Sequence, residues 1–184
     1  MSQLFQNKYR IASARLQCWD YRWAAAYFIT ICTHNRACCL GQVTEGCMQL
    51  SPVGVMADVF WHEIKNHVAH VQLDAFVVMP NHVHGILILN ECGDDVDTVE
   101  TGHALSLPKT IGQSRYQRIG HRSVSSIIGS YKSAVTKHAH RLGYHFGWQT
   151  RYWDHIIRDQ PSFQRIQTYI VNNPAKWGDD RFHR

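Results

Sequence analysis

Two short apolar runs, residues 73–79 (LDAFVVM) and 84–89 (HGILIL), face each other across the dipeptide Pro80-Asn81. Both are too short for a stable helix, both are rich in β-branched or aromatic side chains, and a Pro-Asn pair supplies turn geometry. Two strands joined so tightly must lie side by side and antiparallel. The hairpin therefore predicts two paired strands of an antiparallel sheet, and it carries an oddity. His82 and His84 enter it at the head of the second strand.

The neighbouring patterns fill in the rest. Residues 27–33 (YFITICT) read as a strand. Ser51 and Pro52 have the look of an N-cap and a first helical residue. Behind them Met56, Val59, Phe60, Ile64 and Val68 recur at helical spacing over residues 52–68. Ser123 caps a second helix whose apolar stripe is Val124, Ile127, Ile128, Tyr131, Val135 and Leu142, with Gly143 as its stop. Residues 153–158 (WDHIIR) form a fourth strand. A last helix starts near Asp159 and Pro161, turns Phe163, Ile166 and Ile170 to the core, and ends at Pro174. The order β-α-β-β-α-β-α is an α+β fold. Its first six elements match the ferredoxin-like antiparallel sheet with helices on one face, and the C-terminal helix is an addition that must dock on that sheet.

The length of 184 residues fits one domain, with its core over about residues 21–177. Residues 91–122 lose all periodicity, carry an acidic cluster at 94–100, and read as a long mobile loop. No apolar run is long enough to span a bilayer, and the first residues lack a signal-peptide core. The cysteines at 18, 32, 38, 39, 47 and 92 have no C-x-x-C spacing, which reads as reduced thiols and a cytoplasmic protein.

Charge is divided unevenly. Residues 1–102 hold six Lys and Arg against ten Asp and Glu, whereas residues 103–184 hold thirteen against four. A solvated basic face explains that much. The cations are interleaved with Tyr116, Tyr131, Tyr144, Trp148, Tyr152 and Trp153, however, and cations for phosphates beside rings for bases is a composition suited to single-stranded nucleic acid.

Residues i and i+2 of a strand share a face, so His82 and His84 project side by side and can reach one metal ion. Two imidazoles capping a strand end and bonded to backbone or water are the commoner origin of so bare a pair, because so short a motif over-matches. In the last helix Tyr169 and Asn173 share a face at i and i+4, offering a phenol and an amide oxygen. Packing beside Ile166 and Ile170 is the bland account of Tyr169, and a helix C-terminus before Pro174 that of Asn173.

Taken in order, YFITICTHNR, FVVMPNHVHGIL, SIIGSYKSAVTK, WDHIIRD and YIVNNPAKW resemble the single-tyrosine HUH transposases. The closer likeness is to their REP-associated branch, found as solitary chromosomal genes, and it runs from about Tyr21 to Trp177. The resemblance implies that His82 and His84 bind a divalent metal, Mg²⁺ or Mn²⁺, with Asn173 as a third ligand, directly or through water. It implies that Tyr169 attacks single-stranded DNA near hairpins, keeps the 5′ phosphate and leaves a 3′ hydroxyl. Such a protein works on repetitive hairpin DNA as a monomer or homodimer.

The chemistry agrees with that assignment. A phenol is a weak nucleophile at neutral pH, and charge neutralisation at the phosphate lowers the barrier to its attack. Lys132, Lys137, Arg141 and Arg151 are candidates for the phosphates, and Trp148 or Tyr152 for stacking a base. Among other tyrosines, Tyr131 falls in a core stripe and Tyr152 is the rival nucleophile. Rival functions are a non-cleaving hairpin binder, a metal-dependent hydrolase without a covalent step, and an RNA-binding sheet of the same topology.

Overall fold

The structure is a computed structural model that describes residues 19–91, 123–180 and 182. Its elements are β1 (Ala25–Cys32), β2 (Gly41–Thr44), β3 (Cys47–Leu50), α1 (Pro52–His67), β4 (Val71–Met79), β5 (His82–Leu89), α2 (Val124–Arg141), β6 (Trp153–Ile157) and α3 (Gln160–Asn172). Short 3-10 turns lie at His34–Arg36 and Pro174–Asp179. The loop expected at residues 91–122 lies outside the described residues apart from Glu91.

Four strands form one antiparallel sheet in the order β4-β5-β1-β6. That order is the ferredoxin-like one expected from the element sequence. The two central strands, β1 and β5, are where the apolar runs are densest.

Alternation along β1 and β5 then sorts the molecule into layers. Tyr27, Ile29, Ile31, Val83, Leu87 and Leu89 meet α1 and α2 in the larger core, around a fully buried Trp61. Phe28, Ile86 and Ile157 face the other way and meet Ile170 of α3, flanked by Phe163 and Ile166. The extra helix thus docks on the face opposite α1 and α2. It contacts β4 and β5, and Gln167 Nε2 donates to Asp74 Oδ1 there at 2.9 Å.

Two expectations need correcting. In α1 Ile64 is buried and Met56, Phe60 and Val68 pack against the core as expected, but Val59 is exposed, and the centre of the buried face is Val53, Gly54, Ala57 and Trp61. Leu142 lies beyond the end of α2 and is exposed; Ala139 closes that stripe instead. The β2–β3 hairpin went unforeseen. Its strands have four residues each, and its turn places Glu45 and Gly46 at φ 52° and 74°. Two consecutive positive φ values suit a tight hairpin, but Glu-Gly lacks the usual Asn or Asp signal. Among the described residues no helix is long and apolar enough to cross a membrane.

Candidate active site

The even-numbered residues of β5 face α3, and this puts both histidines under the tyrosine helix. His82 pairs across the sheet with Cys32 and Met79, and His84 with Thr30 and Val77. Their rings lie 4.4 Å apart between centroids. Both are buried, at 0% and 1% exposure. Tyr169 leans over them from α3, its hydroxyl 3.3 Å from His84 Nε2, yet stays 41% exposed. Tyr169 is therefore far more exposed than the imidazoles beneath it.

Hydrogen bonds behind the imidazoles fix how they present themselves. Asn81 Nδ2 donates to the Phe182 carbonyl at 2.8 Å, which orients the amide so that its oxygen faces His82 Nδ1, also at 2.8 Å. An amide oxygen only accepts, so Nδ1 of His82 carries the hydrogen and the neutral ring has its lone pair on Nε2. His84 Nδ1 is likewise engaged, by Thr30 Oγ1 at 2.9 Å. Oxygen partners behind the ring are how proteins orient metal-binding histidines.

The chain then brings in a residue that sequence reasoning missed. After α3 the Pro174–Asp179 turn reverses direction, and Asp180 enters the cluster. His82, His84 and Asp180 offer ligand atoms that all lie within 4.8 Å of one another. Tyr169 donates to Asp180 Oδ2 at 3.3 Å, Asn173 Nδ2 donates to the same oxygen at 3.0 Å, and the Phe182 amide donates to Oδ1 at 2.7 Å. Asn173 is 2% exposed, and its Oδ1 is buried with no hydrogen-bond partner among the described residues. Two imidazoles, a carboxylate and a buried amide oxygen are a donor set that suits a divalent ion of the Mn²⁺ or Mg²⁺ type.

Phe182 covers the imidazoles, its ring 4.5 Å from His82 and 5.9 Å from His84, under the Arg36 guanidinium at 5.0 Å. No spacing rule marks Asp180, because the turn after Pro174 is what places it. Asn81 was legible only as a turn residue, although it directly precedes the histidines.

The residues expected to touch nucleic acid are scattered. Lys132 donates to the carbonyls of Gln149 and Thr150 at 2.6 and 3.2 Å, and burial pulls its ammonium pKa below the usual value. Lys137 and Arg141 are exposed on α2, across the sheet from the histidines. Trp148 packs against Phe146 and Tyr131, with its indole N–H buried. Tyr152 packs on the α1/α2 side, and its hydroxyl donates to Ser125 Oγ at 3.4 Å. Arg151 is exposed just before β6. Of the expected site residues, the structure gathers His82, His84, Tyr169 and Asn173. The six basic and aromatic candidates do not join them.

No family model matches the chain. An uncharacterized protein of Haemophilus influenzae is 34% identical over 173 residues, covering 93% of this chain and 92% of that protein. A REP-associated tyrosine transposase of Escherichia coli is 29% identical over 107 residues, covering 58% of this chain and 46% of that protein. The match thus spans about half of the E. coli relative's length. Among solved structures, a REP-associated tyrosine transposase bound to a REP hairpin shares the fold, with a TM-score of 0.58 at 22% identity, over 91% of this chain and 75% of that one. The chain is thus related over nearly its whole length to the Haemophilus influenzae protein, is similar to REP-associated tyrosine transposases, and shares the fold of the solved one.

Proposed function

We propose that this chain is a metal-dependent single-stranded DNA endonuclease and strand transferase that cleaves near hairpins through Tyr169. The observation that carries the reading is the Tyr169 hydroxyl, 3.3 Å from both His84 Nε2 and Asp180 Oδ2, on a residue that is 41% exposed. Hydroxyls of buried core tyrosines are enclosed; this one is presented beside a set of metal-binding groups.

His82 and His84 would hold the ion through Nε2, together with the Asp180 carboxylate and the orphaned Asn173 amide oxygen. The chemistry a bound Mn²⁺ or Mg²⁺ supplies is charge neutralisation at the scissile phosphate. The remaining work falls to Tyr169. Its oxygen attacks phosphorus, the phosphorus bond to the 3′ oxygen breaks, and the hydroxyl proton passes to Asp180 Oδ2, where it already points. The products are a 5′ phosphate on Tyr169 and a DNA end whose 3′ oxygen takes up a proton. The phosphotyrosine keeps the phosphodiester energy, so a 3′ hydroxyl can attack it to rejoin a strand without ATP. The proposed partner is hairpin-forming repetitive DNA, in keeping with the hairpin bound to the solved relative.

A denaturing gel tests the reading. Labelled single-stranded DNA from the gene's own flanking hairpins, incubated with the protein and Mn²⁺, should yield a protein-linked band that survives SDS and disappears in Tyr169→Phe. Cleavage that continues in Tyr169→Phe without an adduct would sink the covalent step. A gel shift with no cleavage under any metal would support the second reading, hairpin binding alone, which draws on the same solved relative.

A further inference from the structure

We propose that Trp153, on the edge strand β6, is the stacking platform for one base of the single strand that enters the Tyr169 site. The inference rests on the nuclease reading above and assigns it a base subsite.

A single exposed tryptophan needs no explanation in itself. The position of this one does. Trp153 pairs with Thr30 on β1, and Thr30 pairs with His84 on β5, so the three residues form one row across the sheet. Alternation along β6 puts Trp153 on the same face as Ile157, the face that receives α3. Two strand spacings separate it from His84, or about 10 Å, which is of the order of one to two nucleotides of extended DNA.

The row is backed by a continuous aromatic ridge. Trp153 packs edge-on against Phe28 at 5.6 Å, and Phe28 packs in turn against His84 at 5.2 Å and edge-on against Tyr169 at 6.2 Å. His155, the next residue on that face, lies parallel to Trp153 at 6.0 Å between centroids and 5° between planes. Trp153 remains 43% exposed despite these contacts. With Phe28 nearly perpendicular to it and His155 parallel to it, the indole is firmly mounted yet keeps part of its ring in solvent for a base, and the rigid mounting lowers the entropic cost of binding. Arg151, exposed at the entrance to the strand, offers a cation for the adjoining phosphate. Trp148 and Tyr152 offer no such face, since both pack toward α1 and α2.

The test measures binding apart from catalysis. The full chain is titrated in EDTA with a fluorophore-labelled single-stranded oligodeoxythymidine. Trp153→Ala should weaken binding about tenfold and Trp153→Phe by much less, the usual consequence of losing or shrinking one stacked ring. Irradiation with 5-iodouracil in place of thymine should attach the oligonucleotide to the peptide containing Trp153. Circular dichroism reports whether Trp153→Ala folds, and if it does not, the crosslink on the unaltered protein decides alone. Equal affinity in folded Trp153→Ala, or a crosslink mapping elsewhere, would overturn the stack while leaving adduct formation at Tyr169 untouched. A protein that binds no single strand at all would overturn both readings.

Discussion

The side-chain amide of Asn81 joins His82 to the end of the chain: its oxygen meets His82 Nδ1 and its nitrogen meets the Phe182 carbonyl, each at 2.8 Å. Asn81 is fully buried, so no water substitutes readily for either bond. Asn81→Ala should release the His82 ring and its tautomer, weakening Mn²⁺ binding about tenfold, as loss of a group behind a metal ligand commonly does. Isothermal titration with Mn²⁺ reads this directly. An unchanged affinity would mean that Asn81 serves only the turn.

Asp180 can act as a metal ligand or as a hydrogen-bond acceptor, and the two roles respond differently to substitution. As a ligand its charge draws the ion in, so Asp180→Asn should lower Mn²⁺ affinity by at least about tenfold. As a mere acceptor for Tyr169, Asn173 and the Phe182 amide it should leave affinity unchanged. Asn173→Ala removes a neutral donor and should cost less than Asp180→Asn. The reverse ranking would restore Asn173 as the principal third ligand.

Gly85 sits between the histidine and aliphatic halves of β5, and on the helix side its α-carbon lies against the Trp61 indole. A methyl group there would overlap that ring, which is itself stacked on Phe76 at 4.6 Å. The indole is fully buried and has little room to retreat. Gly85→Ala should destabilise the protein by about 2 kcal/mol, a typical cost of overpacking. Thermal melting checks it, and an unchanged midpoint would mean that the indole moves aside freely.

Residues 79–89 also show what was legible in the sequence. The strand alternation that put His82 and His84 on one face is a local property, and Gly85 is small because Trp61 presses on the opposite face. The pairing with Tyr169 rested on a helical i, i+4 spacing together with a family likeness. Asp180 could not be read the same way, because its place depends on the reversal after Pro174 rather than on any periodicity. Trp153 was legible as an aromatic in a strand, but its face and its row depend on β6 pairing with β1. Only Val59 of the α1 stripe was misplaced, because Gly54 and Ala57, which help centre the buried face, count little in an apolar pattern.

The helix that carries Tyr169 begins on a carboxylate, and this gives its stability a pH dependence whose sign can be worked out. Asp159 Oδ1 accepts from the Ser162 amide at 2.7 Å and Oδ2 from the Ser162 hydroxyl at 3.0 Å. Those bonds, with the nearby charge of Arg165, hold the Asp159 carboxyl below its ordinary value of 3.8. A carboxylate with a lowered folded pKa contributes stability that is present above the unfolded pKa and is lost as pH falls through the folded one. Asp159→Ala should therefore melt below the wild type by a steady margin at neutral pH. The margin should narrow once the pH drops under about 4. Asp159→Asn keeps an N-capping side chain, so at neutral pH it should lie closer to the wild type than Asp159→Ala does. Melting curves followed by circular dichroism from neutral to acid pH supply the comparison. A margin that stays constant into strong acid would show that the cap acts without its charge.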